Sequence, residues 1–299
     1  MKSMMNLSKI RLGMSLLSLV MVLSAVMTIA VKGFNWGLDF TGGVVSEFQT
    51  EQSLTADQIK QAFSHALEQD VQLTQSGENG RWLVRYSQPE GEMQSVAVIL
   101  AEITDDVKVL NSSIVGPQVG QDMVEKGGLA VLTCFVLTML YLSWRFEWRL
   151  ALGALGALIY DVVLVLGLFS ITGLEFNLTV LAAVLAVLGY SLNDSIIIAD
   201  RVRELFKGKP NGDTAELINS AIVATFSRTV ITSGTTFATV ACLWLLGGAP
   251  LQGFAIALCF GIVSGTWSSI SVGVTLPQLI GLKPEHYIVR KEEYEEEYS

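Results

Sequence analysis

Six stretches of about twenty apolar residues punctuate the chain, near 12–31, 127–144, 150–171, 177–199, 228–247 and 252–276. A helix of roughly 20 such residues crosses about 30 Å of hydrocarbon, so each stretch predicts a membrane-spanning helix. Between the first and second the pattern changes. "VVSEFQT" and "RWLVRYS" read as strands, the second alternating after the turn "SGENG", and "VKVLNSSIV" reads as a closing strand. "TADQIKQAFSHALEQD" sets Ile59, Phe63 and Leu67 on one helical face behind Thr55 as N-cap, and "EMQSVAVILAEIT" reads as a second helix. This βαββαβ-like order predicts a ferredoxin-like α+β sandwich, with helices on one face of an antiparallel sheet. The expected fold class is therefore an α-helical membrane protein with six transmembrane helices and one extracytoplasmic α+β domain.

Composition agrees with that pattern. Of 299 residues, 51% are hydrophobic and only 16% charged, where soluble domains carry about a quarter charged. Positive flanks tend to stay cytoplasmic, and most flanking basic residues sit at one set of span ends: Lys2, Lys9 and Arg11; Arg145 and Arg149; Arg201, Arg203, Lys207 and Lys209; Lys283, Arg290 and Lys291. The alternate loops "TGLEFN" and "GGAPL" have none. Both termini are thus expected in the cytoplasm, with residues 32–126 outside, in the periplasm of a Gram-negative cell. The expected division is 1–31 (N-terminus and first span), 32–126 (outer domain), 127–276 (spans two to six, with a cytoplasmic connection over 200–227 capped at Asp213 or Thr214) and 277–299 (acidic tail). The first apolar run is longer than a signal peptide's roughly 7–15 residues, which reads as an uncleaved anchor.

Charge and cysteine usage remove several functions. The net charge of −9 is uneven, with fourteen acidic against six basic residues in 32–126 and five acidic against two basic in "RKEEYEEEYS", a solvated end. Nothing forms a nucleic-acid footprint. Cys134, Cys242 and Cys259 all lie within predicted spans and read as small packing residues rather than a disulfide or zinc framework. His65 and His286 fall on opposite sides of the membrane and cannot share a metal. No Walker motif or nucleophile elbow is present, so neither an enzyme nor a cofactor is expected.

The chemistry that remains is inside the spans. A charged side chain at mid-membrane costs roughly 2.5–3.5 kcal/mol on insertion scales, yet the spans hold Asp161, Asp194 and Arg228. At about 1.5 Å per residue, Asp161 falls near the membrane middle and Asp194 roughly 9 Å inside the Asp200 end, from which Arg228 also enters. An Asp194–Arg228 pair with Asp161 deeper in is the expected arrangement. Ser191, Asn193, Ser195, Thr229, Thr232 and Ser233 surround it and read as interhelical hydrogen-bonding glue or a proton relay. Burial favours a neutral carboxyl and a nearby cation an ionised one, so such a pair suits a switch driven by an ion gradient. Gly261, Gly265, Ser269 and Gly273 recur every four residues and predict a close helix-packing groove, against a second subunit or within the bundle. "GLDFTGG", with Gly37, Asp39, Gly42 and Gly43, reads as a turn into the outer domain.

Four segments together, "NWGLDFTGG", "SSIVGPQVG", "GYSLNDSIIIADRVRE" and "SRTVITSGTT", resemble the SecF family, smaller membrane subunits of the bacterial SecDF protein-export complex and relatives of the RND transporters. The resemblance covers nearly the whole chain in order. It implies pairing with SecD into a twelve-helix unit in the inner membrane, beside SecYEG, with YajC and YidC as further neighbours. It also implies use of the proton motive force to draw unfolded preproteins outward after SecA has started them through. Asp194 of "LNDS" and Arg228 of "RT" match the family's proton path, whereas Tyr160 stands where the family often has His beside Asp161. Some relatives use sodium. Two other functions fit the residues: an RND-like exporter of a lipid or small molecule, which would ordinarily carry larger outer domains, and a non-conducting scaffold.

Overall fold

The computed structural model describes residues 2–50, 54–69, 71–75, 80–87, 95–101, 103–104 and 106–287. The tail segment "RKEEYEEEYS" and the first residues of the expected helix 92–104 lie outside the described residues. Helix α1 (Lys2–Lys32) ends at a short strand β1 (Asn35–Trp36), one turn of helix α2 (Leu38–Thr41) follows, and β2 (Gly43–Gln49) opens an outer lobe. The lobe continues through α3 (Ala56–Leu67), β3 (Gln72–Gln75), β4 (Arg81–Tyr86), α4 (Val96–Leu100) and β5 (Lys108–Val115). Its sheet is antiparallel with order β3-β4-β2-β5.

Alternation builds the lobe's core. Val44, Ser46 and Phe48 of β2 lie opposite Tyr86, Val84 and Trp82 of β4, all six buried. Against that face pack Ile59 and Phe63 of α3 and Val96, Ile99 and Leu100 of α4. Helix α3 begins at the expected cap: Gln58 N donates to Thr55 Oγ1 at 3.5 Å while Gln58 Oε1 accepts from Thr55 N at 3.0 Å, a reciprocal capping box. The expected helix over 92–104 narrows to Val96–Leu100 among the described residues, because Ser95 caps it. Strand β3, "QLTQ", has no signal of its own, since three of its four side chains are polar and it lies at the sheet's edge.

The remaining helices are α5 (Pro117–Arg145), α6 (Trp148–Thr172), α7 (Leu178–Gly208), α8 (Thr214–Leu246), α9 (Ala249–Ser271) and the short α10 (Thr275–Leu279), with β6 (Glu175–Phe176) between α6 and α7. Among the described residues six helices are long and apolar enough to cross a membrane. Helices α6, α7 and α9 form the inner layer, with 61%, 44% and 56% of their most apolar windows buried, against 11–17% in α1, α5 and α8. Helix α5 starts at Pro117, ahead of its apolar run. Proline suits a first helical turn, where the missing N–H has no partner to lose.

The expected two-helix connection over 200–227 is built from the ends of the flanking spans. Helix α7 runs on to Gly208 and α8 starts at Thr214, so residues 209–213 alone lie between them. Asp213 caps α8 by accepting from Glu216 N at 2.9 Å, and nothing between 214 and 228 breaks a helix. Asp200 is therefore eight residues short of its helix end, held by Arg145 at 2.9 Å. The small-residue groove of α9 is filled within the chain. A Cβ on Gly261 would stand 2.2 Å from Val187 Cγ2, and one on Gly265 would stand 3.2 Å from Ser191 Cβ. Both neighbours belong to α7.

Candidate functional site

Two of the three ionisable residues predicted within the spans are enclosed by protein. Asp161, near the middle of α6, is 0% exposed, and Asp194, near the middle of α7, is 1% exposed. Asp161 Oδ2 accepts hydrogen bonds from Ser191 Oγ at 2.5 Å and Ser268 Oγ at 2.8 Å. Since Ser191 is on α7 and Ser268 on α9, one carboxylate oxygen gathers three helices. Asp194 Oδ2 accepts from Ser233 Oγ of α8 at 3.4 Å, and Thr266 Oγ1 of α9 lies 2.8 Å from Ser233 Oγ. Ser191 and Asp194, three residues apart on α7, look onto adjoining faces. The two carboxyls thus sit in neighbouring hydroxyl-lined niches of one four-helix cluster.

Several polar atoms there have no protein partner. Asp161 Oδ1, Asp194 Oδ1, Ser195 Oγ, Thr229 Oγ1 and Tyr190 OH are buried without a hydrogen bond. Buried polar atoms are normally satisfied by protein or by ordered water, and for these five only water or a bound ion is left to do so. Helix packing explains how the chain sustains such a cluster. Gly265 lets α9 approach Ser191, and the cores on either side, Phe169 with Val180 and Phe206 with Ile218, are fully buried.

The expected Asp194–Arg228 pair is not a close one: among the described residues no salt bridge joins them and Arg228 is exposed on α8, while its charge still reaches Asp194 electrostatically. The reason is angular. Five residues separate Arg228 from Ser233, which places them about 140° apart around a helix of 3.6 residues per turn. With Ser233 turned to Asp194, Arg228 must point outward. Thr229, one residue on, is turned back into the bundle and buried. Of the other predicted neighbours, Asn193 is exposed, and Thr232 returns its hydroxyl to Arg228 O at 2.9 Å. Tyr160 donates to Met21 Sδ of α1 at 3.6 Å.

Ser268 and Thr266 complete the niches and were not predicted; the signal was their four- and two-residue distance from Ser264 and Ser268 in an apolar run, readable as ordinary packing. The predicted turn "GLDFTGG" has a definite task. Strand β1 pairs in parallel with β6, Asn35 opposite Glu175 and Trp36 opposite Phe176. Gly37 N donates to Phe176 O at 2.9 Å. Asp39 Oδ2 accepts from Leu178 N at 3.0 Å, which places a carboxylate at the positive N-terminus of α7. Gly42 and Gly43 have φ of +74° and +148°, and a Cβ on Gly43 would meet Tyr86 O at 2.6 Å. The motif locks the exit of α1 to the start of the helix that carries Asp194. At the opposite end of the bundle burial, aided by Glu147, pushes the Tyr287 phenol well above its usual range.

Comparison with known proteins yields a consistent set of likenesses. Residues 95–282 match the family described as "Protein export membrane protein SecD/SecF, C-terminal", and residues 28–53 match "SecD/SecF GG Motif". The chain is 40% identical to the protein translocase subunit SecF of Vibrio alginolyticus, over 90% of this chain and 87% of that one. It is 38% identical to SecF of Escherichia coli O157:H7, over 92% and 88%. Among solved structures it is similar to SecDF of Thermus thermophilus, described as a translocon-associated membrane protein, with a TM-score of 0.81 at 33% identity. That match covers 92% of this chain and 38% of the Thermus chain. A structure of SecDF in a super-membrane-facing form gives a TM-score of 0.68 at 31% identity, over 95% of this chain and 39% of that one.

Proposed function

The chain belongs to the SecD/SecF family of protein-export membrane proteins, and from that premise we propose that, with SecD, it couples an ion gradient to late steps of preprotein export through SecYEG after SecA has acted. Asp194 is the residue that takes up and releases the ion, Asp161 is a second carboxyl beside it, and Arg228 acts from the outward face of α8, where SecD would adjoin. The observation that carries this reading is the pair of enclosed carboxyls, each with one unpartnered oxygen, at mid-helix in a bundle where such groups are costly. Ser191, Ser233, Thr266 and Ser268 are hydroxyls through which a proton can be handed on, and Ser195 and Thr229 flank the same route.

The driving force is adequate: one charge moving through 100 mV releases about 2.3 kcal/mol. The chain is read as a multi-pass protein of the bacterial inner membrane, both termini cytoplasmic and residues 32–126 periplasmic, which the alternation of loops with and without basic residues supports. Its outer lobe is read as ferredoxin-like, supported by the βαββαβ order and by both helices packing on one sheet face. The chain acts by transmitting movement and is not an enzyme. The test is preprotein export into inverted vesicles from a strain depleted of the native subunit. Asp194→Asn should assemble with SecD and lose gradient-stimulated export, leaving the ATP-driven part. Collapsing the pH and sodium gradients separately identifies the ion. Wild-type stimulation by the Asn variant would refute the reading.

A further inference from the structure

The outer lobe is attached to the bundle by two peptide crossings, at α2 into β2 and at β5 into α5. These crossings lead to α1 and α5, peripheral helices that carry neither Asp161 nor Asp194, and only the first is also tied to the start of α7, below the lobe, through Asp39. Both of those residues stand on α6 and α7, which meet at the loop holding Glu175. There a third attachment occurs: Arg85 Nη1 donates to both oxygens of Glu175, at 3.0 and 3.1 Å. Arg85 belongs to β4, an inner strand of the sheet, and alternation turns it to the face opposite the lobe's helices. The side chains are only 28% and 19% exposed, so the pair is partly shielded from the solvent that weakens open surface pairs.

Two further features suit this contact to transmit movement. Glu175 is closely seated: a Cβ on Gly37 would lie 2.7 Å from its Oε1 and 2.9 Å from Asn177 Cβ, and β1, just before Gly37, pairs with β6. Beside the pair, between lobe and bundle, lies a cavity of about 430 Å³ bordered by Gln75, Leu83, Gly248 and Gln252. The lobe is therefore held at one edge and open at the next, the geometry of a hinged plate. Roughly 25 Å of α7, at about 1.5 Å per residue, separates Asp194 from the loop, and a helix carries displacement over that length as a rigid rod.

We propose that the Arg85–Glu175 ion pair is the mechanical link through which displacement of the α6–α7 hairpin reaches the outer lobe. It rests on the reading that ion uptake at Asp194 moves these helices. The test uses the full chain with its SecD partner in proteoliposomes, the three native cysteines replaced, and a fluorophore pair at Gln61→Cys on the lobe and Leu245→Cys at the near end of α8. The distance is followed as a pH or sodium gradient is imposed. Arg85→Gln and Glu175→Gln should each lose at least half of the gradient-dependent change, and the exchange Arg85→Glu with Glu175→Arg should regain at least half of what was lost. If either single variant moves as wild type does, the link is overturned and the role of Asp194 stands. An exchange no better than the single variants also overturns it. If the unsubstituted protein shows no change, both readings fall together.

Discussion

Asp161 and Asp194 differ in how firmly each is held. Asp161 Oδ2 receives two hydroxyls at 2.5 and 2.8 Å, whereas Asp194 Oδ2 receives one at 3.4 Å. A carboxyl with one long hydrogen bond is free to change partners; one clamped from two helices is better suited to hold their register. In membranes an interhelical hydrogen bond is worth about 0.6 kcal/mol on average and up to about 1.7. Ser191→Ala and Ser268→Ala should therefore each lower the unfolding free energy in mixed micelles by that amount. The double variant should cost more than the sum, because it strips the buried carboxyl of both hydroxyls that its Oδ2 accepts from. Additive losses in the double-mutant cycle would mean that the two hydroxyls do not serve one carboxylate. Asp161, Asp194, Ser191 and Ser233 were legible in the sequence, because a carboxyl in an apolar span favours the bundle interior and hydroxyls that can donate to it. The outward turn of Arg228 was legible too, had the angle between 228 and 233 been weighed against the attraction of opposite charges.

Helix α9 approaches α7 through its glycines, and this contact sets the distance across which Ser191 and Ser268 reach Asp161. The spacing Gly261, Gly265, Ser269 was visible in the sequence; which helix fills the groove was not, because spacing specifies a shape and not its complement. Nor were helix ends readable where polar turns extend an apolar core, as at Pro117–Lys126 and Asp200–Gly208, since hydropathy stops at the lipid boundary and hydrogen bonding does not. A methyl at 261 would meet Val187 Cγ2 at 2.2 Å, and valine, stiff at χ1, cannot swing aside. Overpacking of this kind costs about 1–3 kcal/mol. Gly261→Ala should thus lower thermal stability, and Val187→Ala in the same chain should restore most of it by vacating the volume. Stability of the single variant equal to wild type would show that the α7–α9 contact is looser than drawn.

At the scale of the whole molecule, one helix is incompletely explained by this chain alone. Helix α8 has 17% of its apolar window buried, and its outward side carries Arg228, Thr235 and Thr239, all exposed. Hydroxyls can return their protons to the helix backbone, as Thr235 Oγ1 does to Ile231 O at 2.9 Å, but a guanidinium facing lipid has no such refuge and requires a partner or water. The Thermus SecDF chain is matched over 38% of its length, so the related assembly contains far more protein than this chain supplies. A SecD subunit seated on α8 would enclose Arg228 and bring it a carboxylate. Cys242 reports on that face, lying two helical turns beyond Thr235 and exposed, whereas Cys134 is half-buried and Cys259 buried. In detergent, a thiol reagent should modify Cys242 of the isolated chain first, and copurified SecD should slow that reaction at least tenfold while leaving unfolded-state labelling of all three cysteines unchanged. Equal rates with and without SecD would place the partner elsewhere and leave Arg228 to be satisfied by lipid headgroups or water reached by snorkelling.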